Sequence, residues 1–437
     1  MSLSPTPESP LAGITVLELG QFIAGPFASQ ILADLGARVI KIERPGVGDP
    51  FRLYVTEPRI EGYGHNFLAF NRNKESVAVN LQQPEGLAVV RRLVEKADVL
   101  LENFRAGVLE RLGLGYEALK TINPRLIYCA ISGFSEDGPY KDRPAFDTVG
   151  QALSGMLYLF TDPTDPRMRG PTIADQATAM QASNAILGAL FGRERSGKGS
   201  KIEISMIEAA IHFMPDAFTA LTESGIDMQS ETRTSYSHAF VLRCADDKLL
   251  AIHVGGPDRL WQALCAAVDD PSIGAEPLFQ KRHSRIANYD KLINAMRPVF
   301  MKRPRAEWLK RLADNDVASA EINTIGEAVG DAEVAHLGLF EKQQRPGYGE
   351  MTMLRRAPRI NGAREPKQKT PPLLGEHTQA VLREFGHDDT FHLLSPLTAR
   401  VGEHDSWRLP VCYRRPLSPG EHCSRSPLSC GGHGPGR

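Results

Sequence analysis

The sequence predicts an α/β protein built on a parallel β-sheet, followed by a smaller α+β part. Over the first 210 residues, short β-branched runs alternate with amphipathic helical stretches, the grammar of βαβ units. From about residue 225 the pattern changes to a hairpin followed by helices. At 437 residues the chain is also too long for one ordinary domain and long enough to bury a large core.

Ile14–Glu18 reads as the first strand, and the glycine-containing loop Gly20–Pro26 leads from it into a helix. The apolar positions of that helix include Phe27, Ile31 and Leu35, with Pro26 suited to its first turn and Gly36 to its end. Strands are expected at Arg38–Glu43, Val99–Glu102, Leu126–Ile131 and Lys201–Ser205, with a helix near 85–96 and a long one at Asp175. Phe240–Cys244 and Leu249–Val254, joined through Ala245–Lys248, read as a hairpin, and helices are expected near 258–268, 287–300 and 305–314. The stretch 335–386 returns to mixed strand and loop, closing with Pro371–Thr378 before another helix. From 387 to 437 apolar periodicity disappears and Pro, Gly, Ser, Arg and Cys accumulate. Such a composition buries too little surface to offset its ordering entropy, so a disordered tail is expected there.

Hydrophobic residues at 42% and charged residues at 24% are those of a soluble globular protein. The net charge of −1 gives no electrostatic footprint for nucleic acid or an anionic membrane, so an anionic ligand must be met by a local arginine cluster. No apolar run approaches the roughly 18 residues that span a bilayer, and the first ten residues lack the features of a signal peptide. The six cysteines form no C-x-x-C pair, and Cys129, Cys244 and Cys265 sit in apolar segments. Buried reduced thiols in a cytoplasmic protein are the expectation. His422, Cys423, Cys430 and His433 match no standard zinc spacing, and no metal site is expected.

Two segments carry chemistry. Asp175 stands before a long apolar-periodic helix, which the basic turn Arg193–Lys198 joins to a strand. An Asp there is most often a cap accepting an orphan backbone N–H. The same position at a helix N-terminus favours the ionised form that a carboxylate nucleophile needs. In the first strand–loop–helix, four residues separate Gly20 from Gly25 and Pro26 follows, so the G-x-G-x-x-G fingerprint of a nicotinamide site is absent.

The segments Leu17–Pro26, Asp34–Asp49, Asn71–Lys74, Leu100–Phe104, Gly113–Tyr116, Asn123–Tyr128 and Gly170–Ala179 appear in one order. Together they resemble the class III CoA-transferases of the CaiB/BaiF type, the family of formyl-CoA transferase, carnitine CoA-transferase and α-methylacyl-CoA racemase. The resemblance runs from about residue 10 to 385. It implies that Asp175 is a covalent nucleophile and that Gln21, Ala24, Arg44, Val79, Asn103, Phe104 and Arg111 contact CoA, a substrate and not a resident cofactor. Arg44 and Arg111 suit phosphates, and Val79 and Phe104 offer apolar surface. It further implies a Rossmann-like large domain built from both ends of the chain (10–215 and 335–386), a small α+β domain at 225–330, and an interlaced homodimer. The expected function is transfer of CoA from an acyl-CoA donor, succinyl-CoA among them, to a small carboxylic acid.

Departures from the family pattern narrow this. Phe146 stands where the racemase branch has a proton-transferring histidine, and phenylalanine carries no proton. Racemisation or isomerisation is thus the disfavoured alternative, and a non-catalytic CoA-binding protein the other. Asp147 falls where transferases carry an acidic residue close to the nucleophile. Ile23 and the glycine-free stretch Ser230–Ser237 depart from formyl-CoA transferase, while Gly255-Gly256-Pro257 is expected only to turn the chain into a helix. Arg233 and His238 are expected at the surface, with contact to a substrate carboxylate the alternative.

Overall fold

The computed structural model describes residues 9–54, 60–162, 164–364 and 368–386. The tail expected to be disordered, with His422, Cys423, Cys430 and His433, lies outside the described residues. Six strands form one parallel sheet: β1 Thr15–Leu19, β2 Arg38–Glu43, β3 Lys74–Ala78, β4 Val99–Glu102, β5 Ile127–Ser132 and β6 Ser200–Ser205. Their order is β3-β2-β1-β4-β5-β6, and every neighbouring pair is parallel. The strands are apolar on successive residues because helices cover both faces. Leu17, Ile40, Leu100 and Tyr128 pack to one side against Val89, Leu93, Leu119 and Val381. Val16, Val39, Val99 and Ile127 pack to the other against Ala28, Leu32, Ile186 and Leu190. That second face is held by helices Ala24–Asp34 and Ile173–Ser196.

Expected strands match within a residue, with two omissions. β3 was not expected because its sequence, Lys-Glu-Ser-Val-Ala, opens on two charges, yet Lys74 is buried. The three-residue strand β9, Ser319–Glu321, is the other. It completes an antiparallel sheet in the order β7-β8-β9 with β7 Ala239–Arg243 and β8 Leu249–His253. A second core surrounds this sheet, filled by Trp261, Leu264, Leu292, Met296, Phe300 and Trp308 from helices Asp258–Val268, Tyr289–Phe300 and Arg305–Asp314. A hairpin of β10 Phe340–Arg345 and β11 Gly349–Leu354 supplies Met351 and Met353 to a cluster with Phe51, Tyr63 and Phe67.

The end of the described chain returns to the six-stranded sheet. Thr378 Oγ1 accepts a hydrogen bond from the Ala78 N–H, and the His377 N–H donates to the Ser76 carbonyl. Among the described residues, no helix is long and apolar enough to cross a membrane, and no cluster of His, Cys, Asp or Glu could hold a metal ion.

Candidate functional site

In a parallel sheet of this order the chain reverses direction between β1 and β4, which opens a crevice at their C-terminal ends. Gln21 follows β1 and Asn103 follows β4, and the two meet there. Asn103 Oδ1 accepts from the Gln21 N–H at 2.8 Å, and Asn103 Nδ2 donates to the Gln21 carbonyl at 2.8 Å. The approach is close enough that a Cβ on Gly25 would stand 3.2 Å from the Asn103 amide carbon. A side chain at Gly25 would fit only if its neighbours gave way by a few tenths of an ångström.

A cavity of about 190 Å³ opens beside this clamp. It is lined by Gln21, Arg44, Val79 and Phe104, with Asn80, Gln82 and Leu112 beside them. Arg44 is exposed at the rim, and its guanidinium has no partner among the described residues. Arg111, also exposed, closes the short helix Val108–Arg111 and does not line this cavity. Ala24 is buried in the first turn of its helix, within the core. A larger open hollow of about 530 Å³ lies along residues 106–118, lined by Glu110, Glu136, Lys141 and Lys201 among others. The switch-point residues Gly20 and Gln21 line the smaller cavity and not this one.

Asp175 comes from the first turn of the long helix. That helix begins at Ile173 with Thr172 in the cap position, so Asp175 is its third residue and not the cap. The capping function falls to another side chain: Asp147 Oδ1 accepts from the Asp175 N–H at 3.1 Å. Gln151 Nε2 donates to the other Asp147 oxygen at 2.7 Å. The Asp147 carboxylate is buried, while Asp175 is half-buried. Burial pushes the Asp175 carboxyl up, and the adjacent Asp147 charge adds to this, bringing it to about 7. The favourable helix terminus expected from sequence is outweighed here.

The two halves of the site are joined by aromatic rings. Phe146 is 60% exposed and lies edge-on to Phe22, with ring centroids 5.8 Å apart. Phe22 follows Gln21, and Phe146 precedes Asp147. The loop that carries Gln21 therefore stands against the segment that orients Asp175.

Beneath the loop lies a buried ion cluster that sequence reasoning missed. Glu18 bridges Lys41 at 2.6 Å and Lys74 at 2.8 Å, and it accepts from Ser29 Oγ at 2.6 Å. Lys41 also pairs with Asp49 at 3.0 Å and donates to the Gly20 carbonyl at 2.8 Å. Lys74 donates to the Pro26 carbonyl at 2.7 Å, so both ends of the loop are pinned. Glu43 and Arg52 form a bidentate pair beside it, at 2.7 and 2.6 Å. Burial pushes the Glu18 carboxyl up, but the two ammoniums outweigh it and hold it at about 2. Glu102, by contrast, has no cation beside it. Burial raises it to about 8, and it accepts from the Phe104 N–H at 2.7 Å.

His238 is a correction: it is fully buried in the second core, 3.2 Å from the Gly255 carbonyl, while Arg233 is exposed as expected. The glycine-free stretch after Ser230 contains the helix Thr232–Ser237. Gly255 takes a left-handed turn (φ +75°) ahead of helix Asp258–Val268, as expected.

A parallel sheet of this order, with a cavity at its switch point and a carboxylate pair at a helix start, is the arrangement in which open α/β proteins bind ligands at the C-terminal ends of their strands. The family model for CoA-transferase family III matches residues 11–378, and the chain belongs to that family of enzymes, which act on CoA thioesters. It is 36% identical to acetyl-CoA:oxalate CoA-transferase of Acetobacter aceti over 87% of this chain and 96% of the relative. It is 32% identical to succinyl-CoA:glutarate CoA-transferase of Mus musculus, covering 86% of each chain. The crystal structure of a CAIB/BAIF family protein from Brucella suis superposes with a TM-score of 0.76 at 31% identity, over 86% of this chain and 100% of that one.

Proposed function

We propose that this chain transfers CoA from an acyl-CoA to a free carboxylic acid, with Asp175 as the covalent carrier. The observation that carries the reading is the half-buried Asp175 carboxyl, its backbone N–H fixed by Asp147, which belongs to the segment that abuts the cavity loop through Phe22 and Phe146. The ionised Asp175 attacks the thioester carbonyl, the C–S bond breaks, and CoA thiolate leaves an aspartyl–acyl anhydride. The thiolate then attacks the aspartyl carbonyl, releasing the donor acid and forming an aspartyl–CoA thioester. The acceptor carboxylate attacks that thioester and expels the thiolate, giving a second anhydride. Thiolate attack on the acceptor's carbonyl yields the new acyl-CoA and frees Asp175. Nothing is lost to water if the site stays closed between steps.

Gln21, Ala24, Arg44, Val79, Asn103, Phe104 and Arg111 form the CoA-binding set in this reading, with Phe146 and Asp147 next to the reacting group. Phe146 offers no proton carrier, which weighs against α-carbon racemisation. Succinyl-CoA is the proposed donor, in keeping with the name of the Mus musculus relative. Asp175→Asn tests the reading. It should bind CoA like the unaltered protein and exchange nothing between acids; exchange at the unaltered rate refutes it.

Residues 10–215 and 335–386 are proposed as one large domain and 225–330 as a small one, in a cytoplasmic homodimer with interlaced chains. Support for a second copy comes from helices in which no residue is fully buried within this one: Pro215–Ser224, Thr232–Ser237, Ile325–Val329 and Ala332–Leu337. Phe191, 63% exposed, and Phe213, 57% exposed, are large apolar groups facing outward. Light scattering should give twice the chain mass; a single chain mass refutes the dimer.

A further inference from the structure

We propose that Asp49 is a positioning residue for acyl transfer, holding the backbone of Phe22 so that the loop edge stands correctly beside Asp147 and Asp175. The inference rests on the reading of Asp175 as nucleophile. Phe22 has φ +62°, a left-handed conformation that a bulky L-residue rarely adopts unaided. Something must hold it. Its N–H donates to Asp49 Oδ1 at 3.1 Å, and the same oxygen accepts from the Phe51 N–H at 3.0 Å. The second Asp49 oxygen faces Lys41 at 3.0 Å. Lys41 in turn grips the Gly20 carbonyl, just ahead of Phe22. Asp49 is thus 2% exposed and ties the two sides of the loop to one buried cation.

The consequence reaches the reacting group through contacts already described. In its left-handed state Phe22 sets its ring edge-on to Phe146, one residue from the Asp147 carboxylate that orients Asp175. Gln21, one residue earlier, lines the cavity. If Phe22 relaxes to negative φ, both the ring and the Gln21 side chain turn away together. The alternative role for Asp49 is local: capping the turn Pro50–Arg52 through the Phe51 N–H alone.

Turnover of an acyl-CoA with an acceptor acid separates the two. Asp49 lines the cavity, but both its oxygens are engaged by protein groups, so kcat and the dissociation constant for CoA are measured separately. Asp49→Ala is expected to lower kcat about tenfold or more, with the dissociation constant for CoA changed less than about threefold. Asp49→Asn keeps an oxygen for the Phe22 N–H and should stay within about threefold of the unaltered kcat. An unchanged kcat in Asp49→Ala overturns the proposal. So does an Asp49→Asn as slow as Asp49→Ala, because the charge, not the grip on Phe22, would then matter. If either variant fails to fold, hydrogen exchange in the unaltered protein decides: a protected Phe22 amide supports the proposal, and exchange at the rate of an open loop overturns it. The variants are compared by turnover and by affinity for CoA, neither of which requires an Asp175 adduct. Turnover without an Asp175 adduct therefore refutes the nucleophile and leaves the Asp49 comparison standing.

Discussion

Replacing Glu18 by Gln should destabilise the fold severely while leaving the shape of the side chain unchanged. The buried cluster holds three carboxylates, Glu18, Glu43 and Asp49, and three cations, Lys41, Arg52 and Lys74, so it is neutral. Glu18→Gln leaves two carboxylates against three cations, all in contact with no solvent. Removing one partner of a buried pair costs about 3–5 kcal/mol, because the remaining charge stays desolvated. Lys74 then has no carboxylate in direct contact. Burial already pulls its ammonium down to about 8 even with Glu18 present, so at neutral pH it would shed its proton in the variant. Thermal unfolding is the assay; at roughly 2 °C per kcal/mol for a large domain, the midpoint should fall by about 5 °C or more. The acid limb gives a second readout. Glu18 is held at about 2, below its unfolded value, so its contribution is present above that unfolded value and lost as pH falls through about 2. Glu18→Gln should lack that loss. The double variant Glu18→Gln/Lys74→Met restores equal numbers of charges, two and two, and should recover much of the stability. A Glu18→Gln midpoint within about 1 °C of the unaltered protein would refute the reasoning.

Acyl transfer should depend on pH through Asp175. Its carboxyl sits at about 7, so the reactive ionised fraction grows as pH rises through neutrality, and kcat/KM should rise with it before levelling. Asp147→Asn removes the neighbouring negative charge, which favours ionisation, so this limb should move to lower pH; burial, the larger cause, keeps it above an ordinary carboxyl. A limb that does not move excludes Asp147 as a source of the shift. Arg44→Ala and Arg111→Ala should each raise KM for acyl-CoA about tenfold with kcat little changed, the loss of one exposed charge-assisted contact to phosphate. Raising the salt should shrink the difference.

The sheet was legible in the sequence because parallel strands covered on both faces are written as short apolar runs, as in Arg38–Glu43 and Val99–Glu102, both recovered in full. β3 was not, because its first residues are charged and its burial depends on distant partners. Lys74 enters the core only because Glu18 stands two strands away in the sheet, and that neighbour relation exists only once the strand order is fixed. The same limit hid the role of Asp49. Its segment was recognised as part of a family-like run, yet its hydrogen bond to Phe22 spans 27 positions. Asp175 was visible through its setting, but its immediate environment was not. The cap expected from Asp175 itself is supplied by Asp147, 28 residues earlier on another helix. His238 was misplaced at the surface because a polar residue in a polar stretch gives no sign of the carbonyl and core that receive it.

Trapping the carrier tests the account most directly. The protein is incubated with an acyl-CoA, quenched with hydroxylamine or borohydride, digested, and its peptides weighed. A modification confined to the side chain of Asp175, absent when acyl-CoA is omitted, is the expected result. Continued exchange of CoA between acids with an unmodified Asp175 peptide, or with the adduct on another residue, would contradict it.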